Sequence, residues 1–325
     1  MTVSVALASF NGGRFIREQL ESIAAQTLAP SELVVSDDGS TDDTCAVVEA
    51  FARDAPFPVR LHRNSERLGV ASNFMRAASL CSGDHVAFAD QDDVWLAGKL
   101  ERCAVALETH DARLVVHACE VVDEALQPLG RAVPDIRRER VAEPLSTPRW
   151  AEAPGMAMVF DRELLAILPW ESRPSAHHRH GRLLHDEWVL ALARLAGRTA
   201  FLPDRLVLYR QHPVNVEGAP TRGLQRTGAE ALTSGAEYYE QRREQAARWA
   251  ELLRDGPFAA EGRAWAALAT SLALRAQVHD RSLGRIERAA RLAEAARGGA
   301  YRPRNRDGFG LRGLLRDAAL LAGGR

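Results

Sequence analysis

Residues 85–100 read HVAFADQDDVWLAGKL. A short apolar run, 85–89, stops at four crowded polar positions, Asp90, Gln91, Asp92 and Asp93, and helical text resumes over 95–108. That is the pattern of a strand, an acidic junction and a helix. Working outward, residues 3–10 (VSVALASF), 32–36 with Leu-Val-Val at their centre, 59–62 and 114–118 also read as strands. The segments between them read as helices over 14–26, 42–52 and 69–80; in the first of these Phe15, Ile16, Leu20, Ile23 and Ala24 recur at helical spacing. Strands alternating with helices predict an α/β fold with a mostly parallel central sheet covered on both faces. In such sheets the ligand crevice lies beyond the carboxyl ends of the strands. The second predicted strand runs into Asp37-Asp38-Gly39-Ser40, so two acidic clusters about fifty residues apart share that edge.

The chain has 325 residues and 46% hydrophobic content, enough for a substantial core. It has no uninterrupted apolar run of membrane-spanning length, and MTVSVALASFNGG lacks a signal peptide's basic and apolar regions, so the expected compartment is the cytoplasm. Cys45, Cys81, Cys103 and Cys119 form no metal or redox spacing and read as buried or incidental thiols. Net charge is -1, but residues 281–325 carry eleven Arg against four acids, an excess of +7 that leaves -8 on residues 1–280. This argues against nucleic-acid binding by the N-terminal part and leaves an anionic partner open for the tail. After the first strand stands SFNGGRF, which is no dinucleotide fingerprint, and no phosphate-loop motif occurs.

Prolines 128, 134, 144, 148 and 154 predict an irregular connection over 124–154, followed by an apolar run at 155–160 and a short helix at 161–167. His177, His178 and His180 read as a solvent-facing loop, and a helix starts near Trp188 in HDEW and ends near Ala196. Beyond Gly218 the text turns Ala/Arg/Glu/Leu-rich, with helices at 237–253, 263–276 and 285–296. Two domains are expected, 1–218 and 219–325. The second is suited to packing, homo-oligomerisation or membrane-surface contact, the last because Leu311, Leu314 and Leu315 stand beside Arg312 and Arg316.

Two carboxylates one residue apart at a strand end, as Asp90 and Asp92 are, can hold Mg²⁺ or Mn²⁺, which prefer oxygen ligands and complete their shells with water and phosphate. Such a cluster can equally be solvated or cap a helix; position at the sheet edge favours the metal.

The segments VALASFNGGRFIREQLESIAAQT, LVVSDDGSTDDT, NSERLGVASNF, GDHVAFADQDDVW, HDEW and YRQHPVNVEG together resemble the family 2 glycosyltransferases of GT-A fold, most closely the bacterial rhamnosyltransferase-like members. The resemblance covers residues 1–218 and implies an inverting transfer of sugar from a nucleoside diphosphate sugar, with a divalent cation on the diphosphate. It implies that Ser9 and Phe10 line the base pocket, that Asp38 accepts from the base while Asp37 steadies the turn, and that Asn64 and Arg67 belong to a segment passing over the nucleotide, with Asn73 behind it. Asp90 is then the sugar or ribose contact and Asp92 the direct metal ligand, with His212 a further metal or phosphate ligand and Arg210 a phosphate contact. The family's usual acid shortly after the first strand has no counterpart in Asn11-Gly12-Gly13-Arg14, and Glu18 is a helix residue.

Inversion needs a carboxylate to take the acceptor hydroxyl's proton. HDEW stands where the family carries it, which selects Asp186, with Glu187 as rival; both could instead charge the first turn of a helix. His185 and Trp188 would shape the pocket, Trp95 would pack, and Asp93 would either hold the metal's shell or cap the next helix. The donor could be dTDP-rhamnose or a UDP-sugar, and the acceptor a saccharide or a lipid-linked saccharide at the inner membrane face. A sugar-phosphate nucleotidyltransferase is the competing enzyme class, but SFNGGRFIREQL lacks its Gly/Arg-rich loop and lysine; a non-catalytic sugar-binding module would not need Asp92 and Asp186.

Overall fold

The structure is a computed structural model that describes residues 1–174, 182–213, 235–301 and 309–322. The loop histidines 177, 178 and 180 and the expected boundary after Gly218 lie outside the described residues. The chain separates into two compact units, Met1–Trp170 with His185–Gly223, and Glu171–Leu184 with Leu224–Arg325.

In the first unit, strands β1 (Val3–Ser9), β2 (Glu32–Asp37), β3 (Val59–Arg63) and β4 (His85–Asp90) are mutually parallel in the order β3-β2-β1-β4. Every residue of β1 and β2 is buried, because helices cover both faces of a parallel sheet and leave no polar side to alternate with. Helices α1 (Ile16–Ala24), α2 (Thr44–Ala52) and α3 (Val70–Ser79) are the crossovers. Ile16, Leu20 and Ile23 of α1 face the core at the predicted spacing. The sheet continues through β9 (Met158–Asp161), antiparallel to β4, to β6 (Ala112–Val122) and β10 (Arg198–Arg210), which are parallel to each other. The carboxyl ends of β1, β2, β4 and β10 therefore deliver Ser9, Asp37, Asp90 and Arg210 to one edge.

Two expectations are corrected. The helix predicted over 95–108 starts later: Val94–Trp95 forms β5, antiparallel to Val207 and Leu208, and α4 runs Lys99–His110 after Gly98. Trp95, 3% exposed, packs as expected, but from a strand. Asp93 thus caps no helix. The irregular connection expected over 124–154 also contains β7 (Pro128–Val133) and β8 (Arg140–Ala142), edge strands on β6 and β10. Pro128 is tolerated there because it opens its strand, where a missing N–H costs no ladder bond. The helix expected to start near Trp188, α5, begins earlier and spans His185–Ala196, so that HDEW forms its first turn.

The second unit packs α6 (Ala236–Leu252), α7 (Ala259–His279), α8 (Arg285–Arg297) and α9 (Gly310–Ala322) on one another. Trp249 of α6 stacks on Trp265 of α7 at 5.7 Å between ring centroids. A Cβ at Gly262 would fall 2.5 Å from Leu253 O, so glycine is what lets these helices approach. Asp317 of α9 is fully buried and receives both arms of Arg275 at 2.7 and 2.9 Å, Tyr301 Oη at 2.6 Å and His279 Nε2 at 3.1 Å. These bonds outweigh burial and hold its carboxyl far below the usual range. Leu311 and Leu315 of the same helix stay about 60% exposed. Among the described residues no helix is long and apolar enough to cross a membrane.

Candidate active site

The ends of β1 and β2 are tied before any ligand is considered. Asp37 accepts from Ser9 Oγ at 2.9 Å and from the Ser40 amide at 2.9 Å, so it steadies the Asp-Asp-Gly-Ser turn as expected, and Ser9 is buried beneath it. Gly39 at the turn has φ +84°, a conformation that favours glycine. Asp38, 3% exposed, accepts from the amides of Leu68 and Gly69 at 2.7 and 2.8 Å and from Asn64 Nδ2 at 3.2 Å. Its carboxylate thus draws segment 64–69 across the edge. Asn73, on α3 behind that segment, bonds Asn64 and also donates to the Ser9 and Ser36 carbonyls. Arg67 reaches over the Phe10 ring, with its guanidinium carbon 3.8 Å from the centroid, and its Nε stands 4.0 Å from Asp38 Oδ2. Ser9, Phe10, Asp38, Asn64 and Arg67 are therefore brought together.

The acidic junction has its own tethers. Gln91 makes a two-point amide bridge to the Phe10 backbone, accepting at 2.9 Å and donating at 3.0 Å. Gly12 makes room for it, since a Cβ there would lie 2.1 Å from Gln91 Oε1. Arg210 supplies the rest. Its amide donates to Asp93 Oδ1 at 3.0 Å, its Nε to the Asp92 carbonyl at 2.8 Å, its Nη1 to the Glu124 carbonyl at 2.6 Å and its Nη2 to the Glu18 carboxylate. The guanidinium, 4% exposed, is committed to protein groups. Glu18, unassigned in the sequence, is its ionic partner.

What the tethers leave at the edge is carboxylate. Burial first, and then the charges of Asp92 and Asp186, push the Asp90 carboxyl up to about 8. Asp186, which opens α5, and the acidic junction after β4 thus act within one field, although 94 positions separate Asp186 from Asp92 in the chain. Glu187 is half-buried beside it, its amide donating to Asp186 Oδ1 at 2.8 Å. Asp93 is buried, its carboxyl raised well above the usual range by burial and then by Asp92 and Asp90, and its Oδ2 has no hydrogen-bond partner among the described residues. Beneath lies Lys99, fully buried, with Nζ 2.8 Å from the Met156 carbonyl and 3.5 Å from the Trp95 ring centroid; burial pushes it down to about 8. Sequence reasoning passed over it, yet helical spacing places Lys99 on the face of Cys103, Ala106 and Leu107 and so toward the core.

His212 Nε2 stands 2.9 Å from Asp92 Oδ2, its ring stacked on Phe15 at 4.8 Å. One carboxylate and one imidazole make a partial donor set for Mn²⁺ or Mg²⁺, with the remaining positions left to diphosphate oxygens and water. Among the described residues no group of three ligating side chains is preassembled. The donor types fit a metal that arrives with its phosphate.

His185 and Trp188 do not line a pocket. His185 is buried between Phe74, stacked at 4.0 Å, and Phe88, edge-on at 4.9 Å, and burial pushes it down to about 3. Trp188 is fully buried. They fix the start of α5, and with it Asp186, in the core. Gly155 allows this close packing: a Cβ there would lie 2.5 Å from His185 Nε2.

Residues 4–165 match the family model Glycosyl transferase family 2. The chain belongs to that family. Over 223 residues this glycosyltransferase is 28% identical to the dTDP-rhamnosyl transferase RfbG of Shigella flexneri, covering 66% of this chain and 74% of that one. An uncharacterised glycosyltransferase of Nostoc sp. is 28% identical over 221 residues, 66% of each chain. An uncharacterised protein of Mycobacterium tuberculosis is 26% identical over 216 residues, 65% of this chain and 59% of that one, so the match spans less than two thirds of the length of these two relatives. Among solved structures the glycosyltransferase resembles Staphylococcus aureus TarS 1-349, with TM-score 0.59 and 18% identity, covering 100% of this chain and 92% of that one. Its fold is that of the GT-A enzymes.

Proposed function

We propose that the chain is an inverting glycosyltransferase that moves a sugar from a nucleoside diphosphate sugar to an acceptor hydroxyl, with Asp186 as the base. The observation that carries this is the shared field of Asp90, Asp92 and Asp186 at the carboxyl edge of the sheet. The acceptor oxygen forms its bond to the anomeric carbon as its proton passes to the Asp186 carboxylate, and the bond from that carbon to the diphosphate breaks, the nucleoside diphosphate leaving with the electron pair. Asp92 and His212 would hold the divalent cation, which when bound supplies positive charge to the leaving diphosphate. Ser9, Phe10, Asp38, Asn64 and Arg67 would form the nucleotide side, with the Phe10 face and the Arg67 guanidinium available to a base. Asp90 would contact the donor sugar or ribose. Glu187 stays the rival base. Arg210 holds the acidic junction in place rather than touching phosphate, since its donors are engaged.

The donor proposed is dTDP-rhamnose, on the likeness to RfbG. The rival is a UDP-sugar, because a stretch of 99 residues, 30% of this chain and 38% of the other, is 36% identical to the UDP-Glc:alpha-D-GlcNAc-diphosphoundecaprenol beta-1,3-glucosyltransferase WfgD of Escherichia coli. That name also supports a lipid-linked saccharide as acceptor. Exposed Leu311 and Leu315 with the basic tail support peripheral contact with anionic lipid; anionic vesicles should bind the full chain better than a chain ending at Arg297.

The test is hydrolysis and transfer across a panel of nucleotide sugars with Mg²⁺ or Mn²⁺. Turnover of one donor should be lost in Asp92→Ala and in Asp186→Asn, while Asp186→Asn still binds that donor. Full turnover in both variants would sink the assignment.

A further inference from the structure

Three side chains of the first unit meet at the Phe15 ring. His212 stacks on it at 4.8 Å between centroids, and the guanidinium carbons of Arg14 and Arg210 stand 4.7 and 4.8 Å from its centroid. His212 Nε2 in turn lies 2.9 Å from Asp92 Oδ2, so one ring separates Arg14 from the imidazole at the acidic junction. The two arginines are held differently. Arg210, 4% exposed, is engaged by the Asp92 and Glu124 carbonyls and by Glu18. Arg14 is 65% exposed and forks onto a single carboxylate, that of Glu124, with Nη1 at 3.4 Å and Nη2 at 2.7 Å. We propose that Arg14 is the guanidinium that receives the donor's diphosphate, exchanging the Glu124 carboxylate for phosphate oxygens.

The proposal rests on the transferase reading, in which a cation at Asp92 and His212 seats the diphosphate. Phosphate oxygens seated there come within the sweep of Arg14's long side chain. An ion pair this exposed is screened by water and easily exchanged, and a fork that matches a carboxylate also matches a phosphate, which carries more charge. Glu124 is itself anchored: Arg210 Nη1 holds its carbonyl at 2.6 Å while Arg210 Nε holds the Asp92 carbonyl at 2.8 Å. The chain at 124 is thereby tied to the acidic junction, and in the ligand-free protein its carboxylate parks the Arg14 fork beside that junction. The junction is rich in carboxylate, so a diphosphate arriving with one divalent cation meets net repulsion that a further guanidinium offsets. The phosphate role that YRQH suggests for Arg210 passes to Arg14.

The test is calorimetric titration of dTDP, UDP and the corresponding monophosphates into the full chain with Mn²⁺. For the nucleoside diphosphate that the wild type binds, Arg14→Gln should weaken binding at least about tenfold while its monophosphate changes by less than about twofold, and Arg14→Lys should recover part of the loss. Glu124→Gln should tighten the diphosphate about twofold to fivefold, because it removes the competing carboxylate and keeps the backbone carbonyl that Arg210 holds. A purely structural pair predicts the same direction for both substitutions, since both break the same bond. Diphosphate affinity unchanged in Arg14→Gln, an equal loss for the monophosphate, or a Glu124→Gln that does not tighten binding overturns the assignment and leaves the transferase reading standing. A wild type that binds neither diphosphate overturns both.

Discussion

Replacing Arg210 by Lys keeps a positive charge at the end of β10 and removes the fork that uses it. Among the described residues the guanidinium donates in three directions: to the Asp92 carbonyl at 2.8 Å, the Glu124 carbonyl at 2.6 Å and the Glu18 carboxylate. An ammonium placed there reaches one of them well. Glu18 is 49% exposed, so its share is that of a screened pair, under about 1 kcal/mol. The two carbonyl bonds are charge-assisted and shielded, about 1.5 kcal/mol each at the lower end of their range. Removing all three, as in Arg210→Gln, should cost about 3–4 kcal/mol, and Arg210→Lys, which recovers one, about 2 kcal/mol. Urea unfolding of the chain without metal or nucleotide measures this directly, and donor affinity follows separately by calorimetry. A strut loses stability in the ligand-free protein and weakens donor binding only as a consequence. If Arg210→Lys keeps ligand-free stability within about 0.5 kcal/mol of wild type and still weakens donor binding tenfold, Arg210 is a phosphate ligand and the reasoning fails.

Gly155→Ala puts a Cβ 2.5 Å from His185 Nε2 in a ring slot closed by Phe74 and Phe88; it should shift the start of α5 and lower kcat at least tenfold with donor KM little changed, and an unchanged kcat would refute the slot's role. Lys99 titrates near 8 when folded, against 10.5 ordinarily, so the unfolded chain binds more protons between those values and this group's contribution to stability rises with pH there and is lost as pH falls through 8. The difference in unfolding free energy, wild type minus Lys99→Met, should grow by about 1 kcal/mol between pH 8 and 9; taking the difference cancels the four buried thiols, which pull the other way, and a flat difference would refute the assignment. Asp317→Asn breaks a buried ion pair and should cost the second unit about 3 kcal/mol or more, seen as lost hydrogen-exchange protection in α9. Because the Asp317 carboxyl is held low, its contribution is present above about pH 4 and disappears on acidification.

Much of the first unit was legible because its signals are local. Val3–Ser9 and Glu32–Asp37 are apolar runs ending in turn residues, and α1 carries its core face at Ile16, Leu20 and Ile23. Position at a strand's carboxyl end was enough to pair Asp37-Asp38 with Asp90–Asp93. The misses are non-local. Val94–Trp95 reads as the start of an amphipathic helix until Val207 and Leu208 arrive to pair with it. Pro128–Val133 is an edge strand only because β6 is there to receive it. The bonds of Arg210 to Glu18, Asp92 and Glu124 join positions distant in sequence, and no spacing rule connects them to YRQH. His185 and Trp188 carry polar atoms that suggest a pocket, whereas Phe74 and Phe88 enclose the His185 ring and Trp188 is fully buried, which makes both core.

The acidic junction is costly to assemble, which explains why so much of the surrounding chain is spent on it. Asp90, Asp92 and Asp93 repel one another, and two of the three are driven toward the protonated form. Two cations are placed close by, Lys99 beneath and Arg210 beside, both almost fully buried. Lys99 spends its Nζ on Met156 O, and Arg210 meets Asp93 through its backbone amide. They act as fixed charge and as scaffold, leaving the carboxylate of Asp92 to His212. Gln91 and the Arg210 Nε bond hold the loop by backbone atoms of Phe10 and Asp92, so the loop can be rigid without using the oxygens the chemistry needs. On the proposed reading, a cation arriving with a diphosphate would meet oxygens whose positions are already set, and the ordering cost would be met by folding rather than by binding.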